Sequence, residues 1–163
     1  MNFNINKYIM ETLQIKKDAA IAAHENAKSS GKKLLEDLLG KKVFQKDIMQ
    51  RIQTFEDICA EMGKDPEDYE CKSSDPDDIA ANALRQALLI SRCYNEGKVL
   101  DWDDSSQSKY CHVYEKKASG WALGGVIGRV TSTYCGSRLY FQNRKHAEDA
   151  WNKFSHIYIN LIK

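Results

Sequence analysis

The sequence predicts an α+β protein with a helical N-terminal half, a small three-stranded antiparallel sheet packed on helices, and a C-terminal helix. Three observations predict this fold class. Apolar residues recur at helical spacing, with capping residues at the ends of the pattern, as far as Asn95. From Lys109 the period changes to two, which is typical of strands. A last helical stripe follows Asn143, and it supplies the cover that a small sheet needs for stability.

Two helices are expected before residue 41. The first covers 17–29 and carries four alanines at helical spacing, which allow another backbone to approach closely. Gly31 interrupts the pattern, and the second helix covers 32–39 and ends at Gly40. A short strand at 12–15 is also allowed, because apolar and polar residues alternate there.

Two further helix starts carry capping signals. Thr54 is followed three residues later by an acid, which predicts a helix over 54–62. Asp75 can accept hydrogen bonds at the next start, and Pro76 fits the first helical position. These two residues predict a long helix over 77–95.

The second half of the chain supplies the sheet. Strands are expected over 109–115, where the side chains alternate, over the glycine-rich segment 121–131, and over 137–142. Asn143 then caps a last helix over 143–160. Six apolar residues are expected to form one core cluster: Leu84, Leu88, Leu139, Phe141, Trp151 and Phe154.

The chain is expected to form a single domain over 1–163. Its 163 residues, of which 42% are hydrophobic, are enough to enclose one core. The domain is expected to consist of a helical part over 1–63, an acidic loop over 64–76 that holds both prolines, and a helix–sheet–helix part over 77–163.

Composition indicates a cytoplasmic protein with no membrane partner. No apolar run approaches the roughly 20 residues that cross a bilayer, and the first residues lack the pattern of a signal peptide. The five cysteines are an odd number and include no CxxC pair. We therefore expect free thiols in a reducing compartment.

Charge is unevenly placed along the chain, although the net charge is only +1. Residues 47–78 carry eleven acidic and three basic side chains, whereas residues 105–163 carry nine basic and three acidic ones. Such segregation permits a basic binding face. It also permits the two regions to pack against each other.

No pattern predicts a catalytic residue, a metal centre or a cofactor. Cys111 and His112 are neighbours on an expected strand, so they point to opposite faces and cannot act as a nucleophile and its base. The glycines at 124–128 lack the Gly-Lys-Ser/Thr ending of a phosphate loop. The acids at 101–104 lack the later Glu and the central Gly of an EF-hand. An enzyme is therefore the least favoured class.

Four residues form the candidate ligand-binding cluster. Arg138 and Tyr140 share one face of the expected third strand, and Lys109 and Tyr110 lie on the first strand, within reach if the two strands pair. Arginine beside aromatic rings can hold a phosphate or stack on bases. The alternative is an exposed sheet face in which Arg138 forms a structural ion pair.

Several segments also resemble a family of small uncharacterised proteins from gut bacteria of the Bacteroides kind and from their phages and prophages. The resemblance spans about 15–160 and implies a phage or mobile-element setting, without an activity to carry over. The matching segments are Gly31 to Lys41, Arg51 to Asp57, Asn95 to Gly97 with Asp101 and Trp102, and Gly136 to Leu139 with the helix that follows.

Two functions are therefore expected from different classes. The first is a non-enzymatic phage or prophage binding protein that uses the basic sheet face for nucleic acid or a nucleotide. The alternative is a structural, assembly or host-interaction protein. It would act through contacts with further copies of itself or with another phage or host protein.

Overall fold

The computed structural model describes residues 15–45 and 47–163, and its α+β class confirms the coarse prediction. The chain divides into two compact units, one ending at Gln45 and one made by the residues after it. The single domain expected over 1–163 stays a prediction. The strand allowed at 12–15 lies, apart from Ile15, outside the described residues.

The first unit is helical over its described residues. Its elements are α1 (Lys17–Asn26), α2 (Ser29–Leu39) and a 3-10 turn (Lys41–Phe44). The break between the helices falls at residues 27–28 rather than at Gly31, which lies inside α2. The His24 Nε2 atom lies 2.9 Å from a carboxylate oxygen of Glu36, and the His24 ring stacks on Phe44 with centroids 4.2 Å apart. His24 therefore joins all three elements of this unit.

The second unit begins with short helices and one long helix. They are α3 (Ile48–Arg51), α4 (Phe55–Glu61), a 3-10 turn (Pro66–Tyr69) and α5 (Pro76–Tyr94). Both expected capping signals are confirmed. The Thr54 hydroxyl accepts a hydrogen bond from the Asp57 amide at the start of α4, and the Asp75 carboxylate accepts from the amides of Asp77 and Asp78 in α5. The helical N-terminal half is matched only in part, because extended segments and 3-10 turns separate these helices.

The sheet has two strands, β1 (Lys109–Lys117) and β2 (Gly120–Arg129), joined as an antiparallel hairpin by a two-residue turn. Val113 pairs with Gly125 and Tyr114 with Leu123, so Gly124 is left over as a bulge. Glycine is compatible with that position because it has no side chain and tolerates the irregular backbone of a bulge.

The prediction of a third strand over 137–142 is wrong. Ser137–Leu139 form a 3-10 turn, and the segment pairs with β1 through one isolated bridge between Tyr110 and Phe141. Gly136, with φ of 84°, leads into the 3-10 turn, and Asn143 already caps the last helix, so Phe141 alone of this segment exchanges backbone hydrogen bonds with Tyr110. On the edge that faces away from β1, the Asn95 amide donates to the Tyr140 carbonyl at 2.8 Å and accepts from the Gln142 amide at 2.9 Å.

The last helix, α6 (Arg144–Ile162), packs on α5 and the hairpin, and its Asn143 cap is confirmed by a 2.8 Å bond from the Lys145 amide. Phe141 and Phe154 are buried in the main core, and Leu139 and Trp151 are half-buried against it, as expected. The core prediction is wrong for Leu84 and Leu88, because Leu84 is 38% exposed and Leu88 is half-buried outside the core. Helix α5 instead buries a face rotated toward Ala83, Ala87, Ile90 and Tyr94.

Candidate anion-binding cleft

A concave region of about 430 Å³ lies where the C-terminal end of α5 meets the segments 97–102 and 137–140. We call it the basic cleft, and its three cationic residues are Arg92, Lys98 and Arg138. Each comes from a different one of those segments, and all three residues are exposed. The cleft therefore exists only because the segment 137–140 returns to the end of α5 and the residues that follow it.

The turn after α5 places Lys98 beside the end of the helix. Glu96 and Gly97 both have positive φ angles, 53° and 73°, and the Gly97 amide donates to the Arg92 carbonyl at 3.0 Å. A left-handed conformation costs a glutamate about 1 kcal/mol or more, so something must hold it. The Arg51 guanidinium does so by donating to the Glu96 carboxylate at 3.2 Å.

The segment that carries Arg138 is fixed from the opposite side. Gly136, with φ of 84°, turns the chain into the 3-10 turn, and Asn95 holds the following backbone at Tyr140. Because Asn95 is itself buried at the end of α5, one side chain sets the distance between the helix end and the Arg138 segment.

Two aromatic residues line the cleft. Tyr140 is fully buried, and Trp102 is half-buried, with the two ring centroids 4.9 Å apart and the ring planes at 85°. Lys109 supports the Trp102 loop, because its ammonium donates to the carbonyls of Asp104 and Val130 at 2.8 and 2.9 Å. The Lys109 nitrogen also lies 5.5 Å from the centre of the Trp102 ring.

The cleft has a single sign of charge. No Asp or Glu lies among its lining residues, and none of its three cations forms an ion pair with a described residue. The nearest acid in sequence is Glu96, which is bonded to Arg51, and the next ones are those at 101–104. Asp101 and Asp104 accept hydrogen bonds from backbone amides of their own loop. The three cations are consequently available for an anion from solvent.

Two other concave regions are less suited to binding a charged ligand. A groove of about 460 Å³ lies between the 3-10 turn at Pro66 and α5, but its amides Asn82 and Gln86 both donate to the Tyr69 carbonyl. A smaller cavity of about 240 Å³ is lined mostly by apolar residues and by uncharged polar ones. Burial lowers the pKa of His112 in that cavity, which favours the neutral ring.

The structure separates the four residues that were expected to form one ligand-binding cluster. Arg138 and Tyr140 both line the basic cleft. Lys109 is fully buried and its ammonium is already bonded, while Tyr110 lies under the Arg144 guanidinium, 5.3 Å from the centre of its ring. There is no exposed third strand to carry the four together. Their binding role stays a prediction, but the shared strand face expected for Arg138 and Tyr140 is wrong, because Arg138 is exposed in a 3-10 turn and Tyr140 is buried.

Sequence reasoning missed Arg92, Lys98 and the use of Trp102. Arg92 stands in the last turn of α5, shortly before Gly97, and a cation is also what the C-terminal end of a helix favours. This pattern predicts a cation near a turn, but it does not predict that the chain returns to the end of α5 40 residues later.

Known proteins give no further guide to this cleft. Among the described residues, no cluster of three or more His, Cys, Asp or Glu side chains is placed to hold a metal ion, and no helix has the length and apolarity to cross a bilayer. No protein-family model, curated protein sequence or solved structure matches this chain.

Proposed function

We propose that this chain is a non-enzymatic, cytoplasmic binding protein of phage or prophage origin that holds a nucleotide or single-stranded nucleic acid in the basic cleft. The observation that carries the proposal is the convergence of Arg92, Lys98 and Arg138 on one concave surface without an acid among its lining residues. The setting rests on the family resemblance of the sequence.

A phosphate is the anion that this arrangement suits. Two guanidinium groups can each donate two parallel hydrogen bonds to phosphate oxygens, and a lysine adds a mobile charge. The half-buried Trp102 ring supplies a surface on which a base can stack, and stacking is worth about 1–3 kcal/mol per base. A ligand with both a phosphate and a base would therefore use the three cations and the Trp102 ring together.

The experiment is a titration of a fluorescein-labelled oligothymidylate, followed by fluorescence anisotropy, with ATP as a competitor. Arg138→Ala should weaken binding at least about tenfold, because a charge-assisted contact is worth about 1.5–3 kcal/mol. Since Arg138 is exposed and forms no ion pair with a described residue, its removal should leave the melting temperature nearly unchanged.

The matched control is Lys116→Ala, which removes one exposed cation at the far end of the hairpin. It should leave affinity nearly unchanged, whereas Arg138→Ala should also reduce the salt dependence by about 0.7 in the slope of log K against log salt. Equal losses in both variants would indicate nonspecific attraction to net charge and would contradict a site. If Arg138→Ala instead unfolds the protein, Arg138 is structural and the proposal fails.

Assembly through protein–protein contacts is the second candidate, favoured by an apolar stripe on α2. Leu34 and Leu38 are one helical turn apart and are 59% and 70% exposed. Leucines this exposed on one helix face are typical of a surface that another protein covers. A discrete dimer in light scattering that Leu38→Glu disrupts, without retention of oligonucleotide, would favour this candidate over the first.

A further inference from the structure

The cavity of about 240 Å³ lies between β1, the segment 135–139 and the last turns of α6. We call it the apolar cavity. Three aromatic rings and three aliphatic side chains form most of its wall: His112, Tyr114, Tyr158, Leu139, Leu161 and Ile162. An engineered apolar cavity of about 150 Å³ binds benzene. The apolar cavity is therefore large enough for an aromatic ring that carries a short substituent.

The wall of the apolar cavity carries no charge. No Asp, Glu, Lys or Arg side chain of the described residues lines it. Burial lowers the pKa of His112 and raises the pKa values of Tyr114 and Tyr158, so all three groups are neutral near neutral pH. Because an ion that enters such surroundings loses its hydration without gaining a counter-charge, the cavity selects an uncharged ligand.

The rings in the wall favour an aromatic ligand. The rings of His112 and Tyr158 meet edge to face, with centroids 4.6 Å apart and planes at 79°. The centroid of Tyr114 lies 5.9 Å from that of His112. Trp151 contacts both tyrosine rings, with its centroid 5.8 Å from Tyr114 and 6.0 Å from Tyr158. A further ring that enters the cavity can extend this aromatic cluster, because aromatic pairs gain energy beyond the burial of their area.

One polar group of the wall residues lacks a partner. The Tyr158 hydroxyl is buried, and it is the only buried hydroxyl in the described part of the chain for which no hydrogen-bond partner is found. The large majority of buried polar side-chain atoms in native proteins have a partner. A tyrosine hydroxyl donates, so the partner that Tyr158 lacks is an acceptor such as a carbonyl oxygen. A molecule that packs against this ring inside the cavity can supply one.

We propose that the apolar cavity binds a small uncharged aromatic molecule that carries one hydrogen-bond acceptor, such as an aryl ketone. The ring of the ligand packs among the aromatic and aliphatic walls, and its carbonyl oxygen accepts a hydrogen bond from the Tyr158 hydroxyl. Leu161 and Ile162 are half-buried and Cys135 is exposed, so a ligand enters between these residues. This site is independent of the basic cleft, because the two share no lining residue.

Three probes of similar size test the charge and the shape of the ligand: acetophenone, its hydrocarbon analogue α-methylstyrene, and the benzoate anion. Each is titrated into the full chain, and the dissociation constant is obtained from the rise in melting temperature, since a ligand that binds only the folded state raises it. Acetophenone and α-methylstyrene should both raise the melting temperature, whereas benzoate should not. No rise with acetophenone, or an equal rise with benzoate, would overturn the proposal.

Tyr158→Phe tests the hydrogen bond to the ligand. This variant keeps the ring and removes the hydroxyl, so it should weaken the binding of acetophenone about threefold to tenfold, the effect of one neutral hydrogen bond. The affinity for α-methylstyrene, which has no acceptor, should stay the same. An unchanged ratio of the two affinities would show that the hydroxyl does not contact the ligand and would contradict the proposed ligand class.

A tryptophan at position 161 tests the location of the site. Leu161→Trp fills the cavity and should abolish the effect of acetophenone. The matched control is Leu84→Trp, which makes the same change at an exposed leucine outside the cavity and should retain the effect. A measurement on the wild type covers the case in which Leu161→Trp does not fold. Nuclear Overhauser contacts should join the ring protons of acetophenone to the methyl groups of Leu139 and Ile162, and bound acetophenone without these contacts would overturn the proposal.

Discussion

Tyr94 and Tyr158 are two tyrosines of the same core whose hydroxyl groups have opposite environments. The Tyr94 hydroxyl donates to the Asp149 carboxylate at 2.6 Å, and Lys153 also bonds to that carboxylate at 2.7 Å. The Tyr158 hydroxyl is buried and has no hydrogen-bond partner among the described residues. Because an unpaired buried hydroxyl costs about 1–3 kcal/mol, the two groups should contribute to stability with opposite signs.

Tyr158→Phe should therefore raise the free energy of unfolding by about 1 kcal/mol, since it removes an unpaired polar group and keeps the ring. Tyr94→Phe is the matched control and should lower it by about 2 kcal/mol, because a hydrogen bond to a charged group is lost. Urea unfolding of the three proteins measures both changes. A loss of stability in Tyr158→Phe would mean that its hydroxyl does have a partner in solution.

At the scale of elements, α5 and α6 decide which apolar residues form the core. Phe154 is 2% exposed and lies at a kink in α6, where its φ and ψ angles leave the helical range. On α5 the buried face runs through Ala87 and Ile90, which leaves Leu84 at the surface. Both Phe154 and Leu84 look like core residues in the sequence, so they form a natural pair for comparison.

Phe154→Ala should lower the free energy of unfolding by about 3–5 kcal/mol, because it leaves a cavity in a closely packed core. Leu84→Ala should cost less than about 1 kcal/mol, since a partly exposed leucine leaves no closed cavity. Denaturant unfolding measures the loss in each variant, and an unchanged m-value shows that the surface exposed on unfolding is the same. Similar losses in both variants would show that the face of α5 is assigned incorrectly.

At the scale of the whole molecule, His112 connects the hairpin to α6. It is buried, and its Nε2 atom lies 2.7 Å from the Ala147 carbonyl, so Nε2 donates and Nδ1 is left to accept from the Tyr114 hydroxyl at 3.4 Å. Burial lowers the pKa of His112, and the hydrogen bond to Ala147 opposes that change only in part. The neutral ring is therefore the form that the fold accommodates.

This linkage predicts a stability that falls in acid. A histidine has a pKa of about 6.5 in the unfolded chain, so between about pH 7 and pH 5 the unfolded state takes up a proton that the folded state resists. The free energy of unfolding should decrease as the pH falls through this range, and the slope should be smaller in His112→Gln. Urea titrations at several pH values measure the slope, and an identical slope in the variant would contradict the assignment.

The sequence alone determined the parts of this protein that depend on neighbouring residues. The caps at Thr54, Asp75 and Asn143 and the hairpin alternation from Lys109 are local features, because each rests on contacts within a few residues or on side-chain periodicity. The α+β class and most helix ends follow from such features.

Only the tertiary structure decided the remainder, for a common physical reason. Asn95 ties the segment 137–142 to the end of α5 through hydrogen bonds to residues 45 and 47 positions away. The basic cleft likewise joins stretches that are distant along the chain, as Arg92 and Arg138 are. Local propensity carries no information about which distant groups will meet, because that is settled by how the helices and the hairpin pack.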